Sequence, residues 1–113
     1  CLRGGLGRAR ARGRGVTGEP VGAEEAARIG MIWKAVDGAE LMDIVMAQAK
    51  QFAAGPTLGY RRIKESLAAA QRNNLDDQLD LERDMQRELG RSHDYMEGTG
   101  AFLEKRAPVF KGE

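Results

Sequence analysis

Residues 39–72 read AELMDIVMAQAKQFAAGPTLGYRRIKESLAAAQR, and the spacing of their apolar side chains decides the fold class. From Ala39 to Ala54, Leu41, Val45, Ala49 and Phe52 recur at helical intervals, with Met42, Met46 and Ala53 widening the stripe, which predicts an amphipathic helix. Gly55-Pro56 punctuates the pattern, because glycine suits a left-handed cap and proline a first helical position. A second amphipathic helix follows from about Thr57 to Arg72, with Leu58, Ile63, Leu67 and Ala70 inward.

Toward the C-terminus, Asn73-Asn74 breaks that helix. A third runs from about Leu75 to Leu89 on Leu75, Leu79, Met85 and Leu89, with Gly90 to end it. Ser92 suits the N-cap of a last helix, with Asp94 in its first turn; that helix stops before Pro108 and presents Tyr95, Phe102 and Leu103. Toward the N-terminus, residues 22–30 predict a short helix with Glu24 and Glu25 in its first turn and Gly30 at its stop. Met31 to Val36 predicts a single short strand, and Asp37-Gly38 a turn. The expected fold class is therefore mainly α. Each large apolar side chain contributes only ~1.5–3 kcal/mol when fully buried, against ordering costs of ~1–2 kcal/mol per residue, so stripes on helices this small need a partner surface.

A chain of 113 residues accommodates one domain with a modest core. With 42% apolar and 31% charged residues it has the balance of a soluble helical protein rather than a disordered tail. No run approaches the ~18 apolar residues of a membrane span, and no apolar segment of signal-peptide type follows the first residues. A cytoplasmic location and no membrane partner are expected. The single cysteine, Cys1, has no internal disulfide partner. A first residue other than methionine predicts a processed chain or a fragment.

Charge is unevenly spread although the net value is +1. Arg3, Arg8, Arg10, Arg12 and Arg14 fall in the first fifteen residues without an acid, and the remainder carries more acid than base. Residues 1–18 form an Arg/Gly-rich arm with almost no apolar periodicity, expected to be mobile, and residues 19–113 form the helical body. Gly13 to Gly18 matches G-x-G-x-x-G in letters, but no apolar strand precedes it and no helix opens at it, so no dinucleotide site is read there. The arm suits nonspecific phosphate neutralisation. Because the arm lacks interleaved aromatics for base stacking, nucleic acid is not the expected partner.

Asp76, Asp77, Asp80, Glu82 and Asp84 cluster on one helix. Asp80–Arg83 and Asp84–Arg87 read as i,i+3 ion pairs on a solvated face rather than as catalytic carboxylates. Glu82 is the exception: it falls between Leu79 and Met85 on the apolar stripe, where a buried charge would require an arginine partner. His93 is the only histidine; it reads as a solvated residue at a helix start, and no metal set is expected around it. No Ser/His/Asp or Cys/His nucleophilic arrangement is specified, so no catalytic residue is assigned. At the end of the last helix, Phe102 and Lys105 lie one turn apart with Arg106 beside them. That pairing suits a planar base and a phosphate, although Lys and Arg at a helix C-terminus also simply complement its dipole.

Three stretches in order carry a family resemblance. TGEPVGAEEAARIGMIWKAVD (17–37), AAGPTLGYRRIKESL (53–67) and LDLERDMQRELGRSHDYMEG (79–98), continuing into AFLEKRAPVF (101–110), resemble the enoyl-CoA hydratase/isomerase, or crotonase, family over roughly residues 16–113. Within the family, GMIWKAVD together with residues 79–98 is most similar to the branch that isomerises the ring epoxide of phenylacetyl-CoA in phenylacetate degradation, with generic enoyl-CoA hydratases the nearest competitor. The resemblance implies a β/α spiral core that holds an oxyanion hole, followed by a helical C-terminal region that trimerises, and only that helical region is matched here. It therefore implies an acyl-CoA substrate with no resident cofactor, a homo-oligomer (trimer or dimer of trimers), and little or no catalysis by this chain alone. It also implies CoA contacts from Phe102 and Lys105, with Arg106 and Phe110 as weaker additions. The arm departs from the family pattern: Arg12 and Arg14 stand at leucine-like positions and Gly15 at an alanine-like one. A displaced reading frame is the expectation for the first fifteen or so residues. Two functions of different class thus stand side by side: the C-terminal part of a crotonase-family enzyme, and an arginine-arm nucleic-acid binder.

Overall fold

The computed structural model describes residues 6–113. Cys1, Arg3 and the start of the Arg/Gly arm lie outside the described residues. The regular elements are all helical: α1 Arg8–Thr17, α2 Ala23–Arg28, α3 Leu41–Ala53, α4 Thr57–Ala69, α5 Leu75–Leu89 and α6 His93–Glu104, with no strand among the described residues. Two compact units divide at Asp43 and Ile44.

In the first unit, Arg8–Thr17 is helical where no regular element was expected. Alanine and arginine are both good helix formers, which offsets the cost of Gly13 and Gly15. No residue of α1 is buried; Arg12 is exposed, and Arg14, half-buried, lies 3.5 Å from Glu19. Gly18 ends the helix in the left-handed region, its N–H donating to the Arg14 carbonyl at 3.0 Å. The short helix α2 follows with Glu24 and Glu25 in its first turn, and Ala26 and Ile29 are buried.

Met31 to Val36 forms bends and irregular backbone rather than the expected strand. The N–H groups of Met31 and Ile32 both donate to the Ala26 carbonyl, at 2.8 and 3.3 Å, and so serve the end of α2. Among the described residues no second strand supplies a ladder, and Trp33 is 82% exposed. Asp37 does turn the chain: its carboxylate accepts from the Ala39 N–H at 2.8 Å and its carbonyl from Glu40 at 3.1 Å.

In the second unit the Gly55-Pro56 corner works differently from the local expectation. Gly55 is not left-handed, and Pro56 occupies the N-cap of α4 rather than its first turn. Glycine is needed because the Tyr60 ring passes over it: any Cβ on Gly55 would collide with that ring, which also meets Phe52 edge-on at 5.7 Å between centroids.

Helices α4 and α5 pack as an antiparallel pair, since partners that rise along one fall along the other: Arg62 reaches Glu88, Ser66 reaches Gln78 and Glu82. Asn74 starts α5 by accepting the Asp77 N–H at 2.9 Å. Asp80–Arg83 and Asp84–Arg87 are ion pairs on the exposed face, at 2.6 and 3.3 Å. Glu82 needs no arginine. It is exposed, and its carboxylate accepts from Gln78 Nε2 at 2.8 Å and Ser66 Oγ at 3.4 Å. The arginine of this pair, Arg62, goes to Glu65 and Glu88 instead.

The apolar stripes remain open. Leu41, Met42, Val45, Met46 and Phe52 of α3, Ile63 and Leu67 of α4, and Leu75 and Leu79 of α5 are all exposed. Helical periodicity thus located the elements but did not tell how far each stripe would be covered.

Loss of the Asn74 side-chain cap is a direct test of how α5 begins. Asn74→Ala should lower stability by about 1 kcal/mol, and Asn74→Ser, which keeps an acceptor for the Asp77 N–H without placing a second charge beside the Asp77 carboxylate, should retain most of it, read from urea unfolding midpoints.

Candidate functional site

The expected site residues stand at the end of α6. Ser92 caps the helix by accepting the Tyr95 N–H at 3.1 Å. Ala101 is 1% exposed and seats the helix, whereas Phe102 and Leu103 are 83% and 80% exposed. The helix ends at Glu104. Lys105 takes a left-handed conformation, φ 55° and ψ 38°, as its C-cap. Phe102 and Lys105 are therefore near in sequence, but they do not share the register of one continuing helix. Lys105 enters no ion pair among the described residues, unlike Arg106.

Arg106 is bound to α6 itself. Its Nη1 and Nη2 donate to the two oxygens of Glu97 at 2.6 and 2.9 Å, and its Nε donates to Glu104 at 2.6 Å. Val109 N–H also donates to Glu97, at 2.8 Å. From there the tail runs back along the helix. Asp94, 4% exposed, accepts from the Lys111 and Gly112 N–H groups at 2.7 and 2.9 Å, and its own N–H donates to the Glu113 carbonyl at 2.9 Å. Phe110 packs over Gly98, with its ring 3.6 Å from the position a Cβ would take.

Asp94 and Glu97 are one helical step of three apart, so they face the returning tail together. Sequence reasoning missed both roles. From its place in the chain Asp94 reads only as a first-turn acid, and Glu97 only as a letter of the family pattern. The available signal was the order of types: two acids at i and i+3, then an arginine and a proline that turns the chain back.

Electrostatics follow this geometry. The Arg106 guanidinium, and next the Val109 N–H, lower the Glu97 pKa to about 2 against the opposing pull of burial. Arg106 is correspondingly raised by Glu97 and Glu104. Burial presses the Asp94 carboxyl upward, but the Lys111 and Gly112 N–H groups and His93 outweigh it, and the net shift is downward. His93 stands at the helix start with Nδ1 3.5 Å from Asp94 Oδ1.

Helical throughout the described residues, the chain superposes on part of solved enoyl-CoA hydratase structures and so has the fold of the C-terminal helical part of a crotonase. The chain belongs to the enoyl-CoA hydratase/isomerase family, whose family model of that description matches residues 1–113.

The 1,2-epoxyphenylacetyl-CoA isomerase of Escherichia coli strain K12 is 50% identical over 107 residues, covering 95% of this chain and 41% of the relative. The trans-2-decenoyl-acyl-carrier-protein isomerase of Streptococcus mutans is 31% identical over 108 residues, covering 96% and 41%. Among solved structures, an enoyl-CoA hydratase from Bacillus anthracis superposes with a TM-score of 0.91 at 28% identity, covering 99% of this chain and 43% of that one. The chain thus spans about two fifths of the length of the curated relatives it matches. Among the described residues no helix is long and apolar enough to cross a membrane.

The tail clamp has a pH dependence of definite sign. Glu97 is depressed from 4.5 to about 2, so its contribution is complete above about 4.5 and is lost as pH falls toward 2, with Asp94 acting in the same direction. The protection of the Val109 amide, measured against its intrinsic exchange rate at each pH, should therefore fall as pH drops through this window, and Glu97→Gln should abolish that step.

Proposed function

We propose that this chain acts as the C-terminal helical part of a cytoplasmic acyl-CoA hydratase/isomerase, contributing oligomer contacts and CoA contacts to an enzyme without a resident cofactor. The ring epoxide of phenylacetyl-CoA is the substrate this reading favours, on the strength of the 50% identity to the E. coli isomerase. Chemistry on the thioester belongs to groups outside the matched helices, and little or no turnover is expected of this chain by itself.

The observation that carries the CoA assignment is the end of α6. A phenyl ring that is 83% exposed stands three residues before a lysine without an ion-pair partner among the described residues. An exposed ring and a cation suit an adenine face and a phosphate. Arg106 is the weaker contact in this reading, because its guanidinium already serves Glu97 and Glu104. The open stripes of α3, α4 and α5 support homo-oligomerisation into a trimer or dimer of trimers, since apolar faces of this extent gain from being covered.

Calorimetric titration of the chain with coenzyme A tests the CoA contacts. Lys105→Ala should weaken binding roughly 10- to 100-fold, the equivalent of one charge-assisted hydrogen bond of about 1.5–3 kcal/mol. Phe102→Ala should cost a comparable factor through lost stacking of about 1–3 kcal/mol. Lys64→Ala, on exposed α4, should leave affinity unchanged. Equal effects of Lys64→Ala and Lys105→Ala would reduce the interaction to general charge attraction and contradict the assignment.

A further inference from the structure

Lys105 is the one non-glycine residue with a positive φ among the described residues. In the left-handed region a Cβ crowds the following carbonyl, a cost that glycine avoids, and this cap position commonly holds glycine. The bonds that close the helix do not require lysine. Lys105 N–H to the Phe102 carbonyl, 3.3 Å, and Arg106 N–H to the Ala101 carbonyl, 3.0 Å, are backbone bonds that glycine would make equally well. A strained residue kept where an unstrained one would serve points to work done by its side chain.

A second observation concerns what holds the strained turn in place. On its N-terminal side stands α6, anchored by the buried Ala101. On its C-terminal side both Arg106 and the Val109 amide are held by Glu97, one turn before Ala101 on the same helix. Glu97 thus closes a loop around Lys105 without touching it. Relaxing either side would let the left-handed residue return to an ordinary conformation.

Resting on the CoA reading above, we propose that Glu97 is a positioning residue: by gripping Arg106 and the Val109 amide, it keeps Lys105 left-handed and out of helical register, set to meet a phosphate of a CoA-type ligand. The lysine supplies the charge and Glu97 its placement. Arg106 is then a structural tie rather than a principal ligand group.

The test compares wild type, Glu97→Gln, Lys105→Ala, Lys105→Gly and the double variant Glu97→Gln/Lys105→Ala. The readouts are coenzyme A affinity, thermal midpoint, and hydrogen exchange at the Arg106 amide. Glu97→Gln should speed Arg106 exchange and weaken coenzyme A about tenfold, with no further loss when Lys105 is already alanine. Lys105→Gly should lose affinity as Lys105→Ala does while raising the thermal midpoint by several degrees, because the strain is removed.

Unchanged Arg106 exchange in Glu97→Gln, or an equal affinity loss in the presence and absence of Lys105, would overturn the positioning role. A wild-type chain that binds no coenzyme A would instead defeat the CoA reading and the ligand assigned to Lys105. The exchange and thermal data would then separate that failure from a failure of the Glu97 grip.

Discussion

The Glu97 carboxylate accepts two guanidinium bonds from Arg106, nine residues on, and one backbone amide bond from Val109, twelve residues on. A carboxylate drawn this far out of water is tolerable only when its lone pairs are taken up, and here charge-assisted donors do so. Asp94 repeats the device one turn earlier with three tail residues. The arrangement at the end of α6 depends on these two acids. They return residues 106–113 along the helix, seat Phe110 over Gly98, and fix the chain on the far side of the left-handed Lys105. The few apolar residues buried among those described, such as Ala101, Ala26 and Ile29, are small or isolated. Polar anchoring therefore carries a share of the local order that a large core would otherwise supply.

Local rules made much of this legible from the residues. The stripes at Leu41 to Phe52 and Leu75 to Leu89 located helices because the 3.6-residue period is a property of the backbone itself. Ser92 announced a cap because its short side chain reaches an amide three residues on; Asn74, legible only as a helix breaker, caps α5 in the same way. What depended on distant partners was not legible. Met31 to Val36 has the apolar character of a strand, yet a strand needs a ladder, and its amides close α2 instead. Gly55 looked like a left-handed cap, whereas the Tyr60 ring above it is what demands glycine. Glu82 looked like a charge in need of an arginine because periodicity cannot say how far a face is covered; solvent and Gln78 satisfy it. The arm's helix emerged from alanine and arginine propensity, which an apolar-pattern reading undervalues.

At the candidate site, residue types were legible and their geometry was not. Phe102 and Lys105 were singled out from an ideal helix, and the helix ends between them. The consequence is a cation placed by a strained turn rather than by helical register. Relatives as different as an epoxide isomerase acting on a CoA thioester and a decenoyl isomerase acting on an acyl-carrier protein share this helical part with the chain. A part shared by relatives of such different reactions does not by itself select one reaction among them.

The open stripes and the exposed end of α6 would gain from neighbouring surface, so the predicted consequence is assembly. Sedimentation equilibrium of the chain, with and without coenzyme A, measures this most directly. A discrete trimeric mass, strengthened by coenzyme A, is the predicted result; a stable monomer whose mass coenzyme A leaves unchanged would contradict it.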